Sequence, residues 1–360
     1  MIKRRITKVI RVGEVKIGGL SAISIQSMAK TDTACVADTV EQIQRLERAG
    51  CEIVRVAVKN SAAAKVLDKI KARIKIPLVA DIHFDYRLAL IALERGVDKI
   101  RLNPGNIYRP GEVKQIALSA KKRKVPIRVG VNSGSLPGEL KVKTRGPEGL
   151  AEAMVKSARD YIKMLERFNF YDIIVSLKAS DVATTVEAYR KMSARCDYPL
   201  HLGITAAGLV QEAAIKSASG LGALLLDGIG DTLRVSLAGE PEEEVRVAKV
   251  ILQSLGVRSF GPEIIVCPTC GRTQTDVVKI AQNFKKRLDS ILTTHHSIRP
   301  LTIAIMGCEV NGPGEAQEAD IGIACGKACG VLFKKGKIVK KVPESQIVTV
   351  LIEELKKYDV

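Results

Sequence analysis

Eight short apolar runs, each followed by a stretch of helical periodicity, constrain the fold of roughly the first 240 residues. The runs fall at 22–27, 51–58, 77–83, 99–103, 126–132, 171–178, 199–205 and 233–237. Between them, stretches such as Val40-Glu41-Gln42-Ile43-Gln44-Arg45-Leu46 and 150–165 place apolar residues at helical spacing. Strands covered on both faces show continuous Val/Ile/Leu runs rather than alternation, which is the signature of a parallel sheet. Aromatic residues make up only 4% of the chain and Trp is absent, which argues against an aromatic β-sandwich core. Eight strand–helix units predict a closed (β/α)8 barrel. An open doubly wound sheet is the alternative, but no GxGxxG turn follows the first strand.

A linker is expected at Ser259-Phe260-Gly261-Pro262, where Gly and Pro punctuate the chain. The expected domains are therefore 1–258, the barrel, and 259–360, a small α+β unit. In the second, strands are expected at 263–266, 301–306 and 321–324, with helices at 274–292 and 344–358. The basic N-terminus has no apolar segment after it, and no run approaches a membrane span. A cytoplasmic protein is expected, so its eight cysteines read as metal or redox chemistry before disulfides.

Chemistry in such a barrel sits at the carboxyl ends of the strands. Polar residues recur there: Arg55; Asp81 and His83; Arg101 and Asn103; Arg128 and Asn132; Ser176 and Lys178; His201 and Thr205; Arg234 and Ser236. Arg55, Arg101, Arg128, Lys178 and Arg234 would surround one pocket with cations, and Asp81 and Asp231 are too few to neutralise them. A diphosphate or bisphosphate would satisfy the surplus by charge-assisted hydrogen bonds. Gly105, Gly130 and Gly134 would let backbone approach its oxygens. About a third of these residues are expected to be structural ion pairs instead, Arg234 first among them. The net charge of +18 fits an anionic substrate and an acidic protein partner. Six Phe and seven Tyr are too few and too scattered to stack on bases, so no specific nucleic-acid binding is expected.

The last hundred residues carry Cys267-Pro268-Thr269-Cys270 and, after a predicted strand, Cys308 within MGCEVNGPGEA. Three cysteines and Glu315 can fill the corners of a [4Fe–4S] cubane, and a carboxylate corner exchanges more easily than a thiolate. Such a cluster can act as a Lewis acid and pass electrons. A structural zinc site, with Cys325 and Cys329 or His295 and His296 nearby, and a redox dithiol compete for the same CxxC. The zinc reading would make the chain a barrel that binds an anion without redox activity. Cys35, Cys51 and Cys196 read as ordinary packing or surface residues.

Taken together, these residues closely resemble the 4-hydroxy-3-methylbut-2-enyl diphosphate synthase family. The matching stretches include IQSM, ADIHFDYRLAL, KIRLNPGNI, IRVGVNSGSL, VSLKASD, GIGDTLRVSL, CPTCGRTQTD and MGCEVNGPGEA, in order along the chain. The resemblance implies a barrel followed by a [4Fe–4S] domain similar to that of sulfite and nitrite reductases. It implies cluster ligands at Cys267, Cys270, Cys308 and Glu315, and a diphosphate clamp of Arg55, Arg101, Arg128 and Lys178. His83, Asn103, Asn132 and Ser176 would hydrogen-bond beside that clamp. It further implies reductive opening and dehydration of 2-C-methyl-D-erythritol 2,4-cyclodiphosphate, with electrons from ferredoxin or flavodoxin, in a head-to-tail homodimer. One departure stands out. Where the family carries Thr-Glu-Ala-Gly, with the Glu expected as acid/base, this chain reads Thr205-Ala206-Ala207-Gly208. Intact cluster and substrate binding with impaired turnover is the expectation; Asp81 and Glu212 are the nearest substitutes in sequence.

Overall fold

The first ordered element is a hairpin that the apolar-run pattern does not predict, β1 (Ile10–Val12) and β2 (Val15–Ile17), paired antiparallel. Gly13 turns it at φ 55°, a conformation glycine adopts without steric penalty. The computed structural model describes residues 2–136, 146–205, 207–292 and 301–358.

The barrel strands follow: β3 (Ser24–Met28), β4 (Ile53–Val58), β5 (Leu78–Ile82), β6 (Lys99–Leu102), β7 (Ile127–Asn132), β8 (Ile173–Lys178), β9 (His201–Leu202) and β10 (Thr232–Leu233). They form one parallel sheet in the order β8-β7-β6-β5-β4-β3-β10-β9. A bridge between Val175 and Leu200 brings the two ends together and closes the ring. The helices of this unit are α1 (Val36–Ala49), α2 (Ser61–Lys65), α3 (Leu67–Lys71), α4 (Tyr86–Glu94), α5 (Pro110–Arg123), α6 (Gly146–Arg167), α7 (Val182–Ser193), α8 (Val210–Leu226) and α9 (Pro241–Ser254). Their starts are locally encoded: Asp85 caps α4 by accepting from Arg87 N, and Asp181 caps α7 by accepting from Thr184 N.

The last two strands are shorter than the apolar runs suggest. The ladder of β9 stops at Leu202, and Gly203 follows, where a Cβ would lie 2.3 Å from Lys178 Nζ and 2.7 Å from Arg234 O. Beyond Leu233 the run to 237 leaves the sheet, and Arg234 turns to Glu244.

Ile10, Val12 and Ile17 of the hairpin pack with Ile53, Val79 and Ile174, residues early in β4, β5 and β8. The hairpin is thus an apolar plug at the amino-terminal end of the barrel, and Val12 and Ile17 are fully buried. The plug predicts that Ile17→Ala destabilises the barrel by about 2–4 kcal/mol. Urea unfolding of the variant, showing a lower midpoint at an unchanged slope, would check it.

Two compact units, Met1–Arg258 and Ser259–Val360, divide the chain. The second holds a mixed sheet in the order β11 (Glu263–Val266), β12 (Thr302–Met306), β13 (Ile321–Gly326), β14 (Cys329–Lys334), β15 (Lys337–Pro343). The first three strands are parallel and the last two add antiparallel hairpins. Sequence periodicity predicts only the first three; β14 and β15 meet at Lys335-Gly336, whose φ values of 48° and 80° make a tight left-handed turn. Helices α10 (Val277–Leu292) and α12 (Ile347–Lys356) cover one face around Phe284, Ile305, Ile323 and Leu351. The short α11 (Gly312–Glu318) covers the other, with Ala304, Ala316, Ala324 and Phe333 in its core. Among the described residues, no helix is long and apolar enough to cross a membrane.

Candidate functional site

Side chains alternate between the two faces of a strand, and the alternation turns charge into the barrel. Lys99, Arg101 and Asn103 share one face, and register sets Arg101 between Asp81 of β5 and Arg128 of β7. Gly130 lies beside Ser176 and Asn132 beside Lys178. Arg55, Asp81, Arg101, Arg128, Ser176 and Lys178 are all buried. A barrel interior is normally filled by branched apolar side chains; here they fill the plugged end.

Among the described residues, one carboxylate serves this interior. Asp81 Oδ1 accepts from Arg101 Nη1 at 3.2 Å, and its Oδ2 lies 3.6 Å from Arg55 Nε. Burial opposes ionisation of Asp81, but Arg55, Arg101 and Arg128 together hold its pKa down at about 2. Arg101 Nη2 also donates to Gly130 O at 2.9 Å. Arg55 turns its Nη2 onto Met28 Sδ at 2.9 Å, and burial lowers its pKa to about 10 despite Asp81. Arg128 is 1% exposed, and its Nε and Nη1 have no hydrogen-bond partner among the described residues. Burial, then Arg55 and Arg101, push its pKa down, although a guanidinium stays protonated. Lys178 Nζ lies 3.4 Å from His201 Nε2. Burial and the surrounding arginines, Arg128 first, depress its pKa far below the ordinary lysine value.

The other expected site residues divide. His83 follows β5, half-buried, and its charge acts on Asp81. Asn103 braces a turn: its Nδ2 donates to Ser135 Oγ at 2.8 Å while its Oδ1 accepts from Gly105 N at 3.1 Å. Ser135 Oγ in turn donates to Asn132 O. Ala206 lies outside the described residues.

Arg234, the residue expected first to be a structural ion pair, is one: its Nε and Nη2 donate to Glu244 at 2.9 and 2.8 Å. Two expectations need correction. Asp231 is not a partner of the clamp. It sits beside the start of β10 and is engaged by Thr7 Oγ1 at 2.9 Å and Leu200 N at 2.8 Å. Nor do Gly105 and Gly130 stand open to a ligand. A Cβ on Gly130 would meet Arg101 Nε at 2.4 Å, and one on Gly105 would meet Ser135 O at 2.0 Å.

Sequence reasoning overlooked Lys99 and Gln26. Both are fully buried, and Lys99 Nζ donates to Gln26 Oε1 at 3.2 Å. Counting back two residues from Arg101 would have placed Lys99 inside.

In the second unit, Cys267 follows β11 and donates its N–H to Ile305 O. The turn that carries it closes through Cys270 N to Thr273 Oγ1, 3.0 Å, and Gln274 N to Gly307 O, 3.1 Å. Gly307 makes this approach possible, because a Cβ there would meet Val277 Cγ2 at 2.6 Å, with Cys267 Sγ at 3.6 Å. Cys267 therefore lies beside the residue that precedes Cys308. Backbone N–H groups of Asn311, Val310 and Gly312 stabilise the Cys308 thiolate and lower its pKa. Glu315 is exposed in the first turn of α11.

Among the described residues, no three His, Cys, Asp or Glu side chains stand close enough to form a ready-made metal site. The donor chemistry nevertheless suits a thiophilic metal group: all eight cysteines are free, and one is acidified as a ligand must be. Cys325 and Cys329 flank the β13–β14 turn. Burial, then Glu344, Cys329 and Cys267, push the Cys325 thiol up to about 12, which keeps it protonated.

Comparison with known proteins gives one consistent answer. Residues 7–249 match the GcpE TIM-barrel domain, and residues 263–357 match the GcpE protein C-terminal domain. The chain is 54% identical over 360 residues to the 4-hydroxy-3-methylbut-2-en-1-yl diphosphate synthase (flavodoxin) of Caldanaerobacter subterraneus subsp. tengcongensis, covering 99% of each chain. A protein of the same name from Thermodesulfovibrio yellowstonii is 54% identical over 357 residues, covering 99% of this chain and 100% of the relative. That from Fusobacterium nucleatum subsp. nucleatum is 52% identical over 353 residues, covering 98% and 96%. Among solved structures, the dihydropteroate synthase of Stenotrophomonas maltophilia superposes with a TM-score of 0.51 at 13% identity. It covers 67% of this chain and 96% of its own, a likeness of fold alone.

Proposed function

The chain belongs to the GcpE family, and on that premise we propose that it converts 2-C-methyl-D-erythritol 2,4-cyclodiphosphate into 4-hydroxy-3-methylbut-2-enyl diphosphate. Two electrons and one proton enter, a ring C–O bond breaks and water leaves. The single observation that carries the reading is the buried basic interior of the barrel: the guanidiniums of Arg55, Arg101 and Arg128, with the Lys178 amine beside them, against Asp81 as the one carboxylate among the described residues. Buried charge without counter-charge is costly, and a diphosphate is the ligand that offsets it.

In this reading Arg128 and Lys178 bind phosphoryl oxygens directly. Asp81 acts as a positioning residue: ionised throughout the working pH range, it orients the Arg55 and Arg101 guanidiniums. His83, Asn132 and Ser176 hydrogen-bond beside the clamp, and Asn103 braces the turn that follows Asn132 through Ser135. The barrel unit, 1–258, holds the substrate, and the second unit, 259–360, holds a [4Fe–4S] cluster through Cys267, Cys270, Cys308 and Glu315. Such a cluster, when bound, supplies electrons one at a time and a Lewis-acidic iron. Gly307 gives the ligand loops room, and the Asn311, Val310 and Gly312 N–H groups keep Cys308 as thiolate. Flavodoxin is the electron donor favoured by the relatives' names, with ferredoxin as the second choice. A homodimer in the cytoplasm, where thiols stay reduced, completes the proposal.

The test is an anaerobic assay of protein reconstituted with iron and sulfide, with reduced flavodoxin and the cyclic diphosphate, read by phosphorus NMR. Slow conversion above the protein-free blank is expected, and none from Cys308→Ala. A fully reconstituted protein that neither binds nor converts the cyclic diphosphate would overturn the reading.

A further inference from the structure

Below the clamp lies a second basic group that the proposed chemistry does not use. Lys99 opens β6 and is level with Val79, a member of the apolar plug, so the plug shields it from the amino-terminal end of the barrel. It is 0% exposed. Among the described residues its one hydrogen bond goes to Gln26 Oε1, and Gln26 Nε2 has no partner. Among the described residues, no carboxylate is paired with it. From β3 it faces the neutral Gln26, from β4 Arg55, and from β7 Arg128. Lys178 of β8 and His201 of β9 add further basic groups to the same interior. The one acid there among the described residues, Asp81 of β5, is held by Arg55 and Arg101.

We propose that Lys99 is the proton-accepting floor of the anion site: binding of a diphosphate in the barrel draws a proton from solvent onto its amine. The proposal rests on the reading of the barrel as a diphosphate site. In the free protein, burial first, then Arg128 and Arg55, favour the uncharged amine. A polyanion above it reverses the sign of the local field and neutralises the two arginines. The bound-state pKa therefore lies above the free-state value. Below the free value Lys99 is charged in both states, and above the bound value it is neutral in both. Between the two, association takes up a proton, and affinity falls as pH rises. Lys178 and His201, also depressed by burial and by Arg128, contribute to the total. The share owed to Lys99 is the difference between wild type and a variant that cannot titrate there.

The experiment is isothermal calorimetry on the reconstituted holoenzyme, with the cyclic diphosphate and, separately, inorganic diphosphate as probes. Titrations at one pH in buffers of different ionisation enthalpy give the proton count as the slope of observed enthalpy against buffer enthalpy. Wild type should take up protons, and Lys99→Met should take up about one fewer. Lys99→Arg, which keeps the charge but does not titrate, should show the same deficit and guards against a packing defect in the first variant. Equal slopes for wild type and Lys99→Arg would overturn the proposal. If neither probe binds wild type, the diphosphate reading of the barrel falls, and this proposal with it.

Discussion

Replacing Ala206 with glutamate should raise kcat by about 10²- to 10⁴-fold, the usual worth of a positioned acid or base, with KM little changed. The argument is one of elimination among the described residues. Asp81 is the carboxylate inside the barrel, and a pKa of about 2 leaves it no proton to give near neutrality. Glu244 is tied to Arg234 through both oxygens and also accepts from Ser27 Oγ. Glu212 stands exposed on the first turn of α8. His201 is buried and held neutral by burial and then Arg128. None of these replaces the acid/base carboxylate that the family resemblance leads one to expect where this chain has Ala206. Loss of water from the substrate needs a proton, so its delivery should limit turnover. Steady-state rates of the two proteins, each normalised to cluster content, give the answer. An unchanged kcat in Ala206→Glu would mean that the proton comes from elsewhere.

Arg128→Met should separate binding from stability. Arg128 is fully buried, has two nitrogens without a partner among the described residues, and is repelled by Arg55 and Arg101. Removing it relieves that repulsion and the cost of burying a charge, so the free protein should gain about 1–2 kcal/mol. The same change removes charge-assisted hydrogen bonds to the substrate, each worth about 1.5–3 kcal/mol. Affinity for the cyclic diphosphate should therefore fall by about 10²- to 10⁴-fold. Arg234→Met should do the reverse to stability. It strands Glu244, 1% exposed on its side chain, without its bidentate partner, and loss of one member of a buried pair costs about 3–5 kcal/mol. Thermal unfolding and calorimetric affinities of the two variants form the check. An Arg128→Met protein that binds as tightly as wild type would remove Arg128 from the site.

The barrel was legible because strands covered on both faces must be apolar throughout, and six of the eight runs match their strands to within two residues or so. The seventh and eighth were overlong: beyond the strand ends Gly203 lies against Lys178, and Arg234 reaches for Glu244. Composition and strand position exposed the cation surplus but not its pairing. Asp231 and Glu244 are far in sequence from the groups they hold, Thr7 and Ser27 among them. The β1–β2 and β14–β15 hairpins escaped notice because Gly13-Glu14 and Lys335-Gly336 are sparse turn signals beside short strands. In the second unit the CxxC motif pointed to metal chemistry. The closeness of Cys267 to Gly307 could not be read from spacing, since the pairing of β11 with β12 sets it.

The most direct test of the central claim is an electron paramagnetic resonance spectrum of the anaerobically purified, reduced protein, with and without the cyclic diphosphate. The account predicts a brown protein with a [4Fe–4S] signal that shifts when the substrate is added. A colourless, silent protein that contains zinc, or a cluster signal indifferent to the substrate, would contradict it.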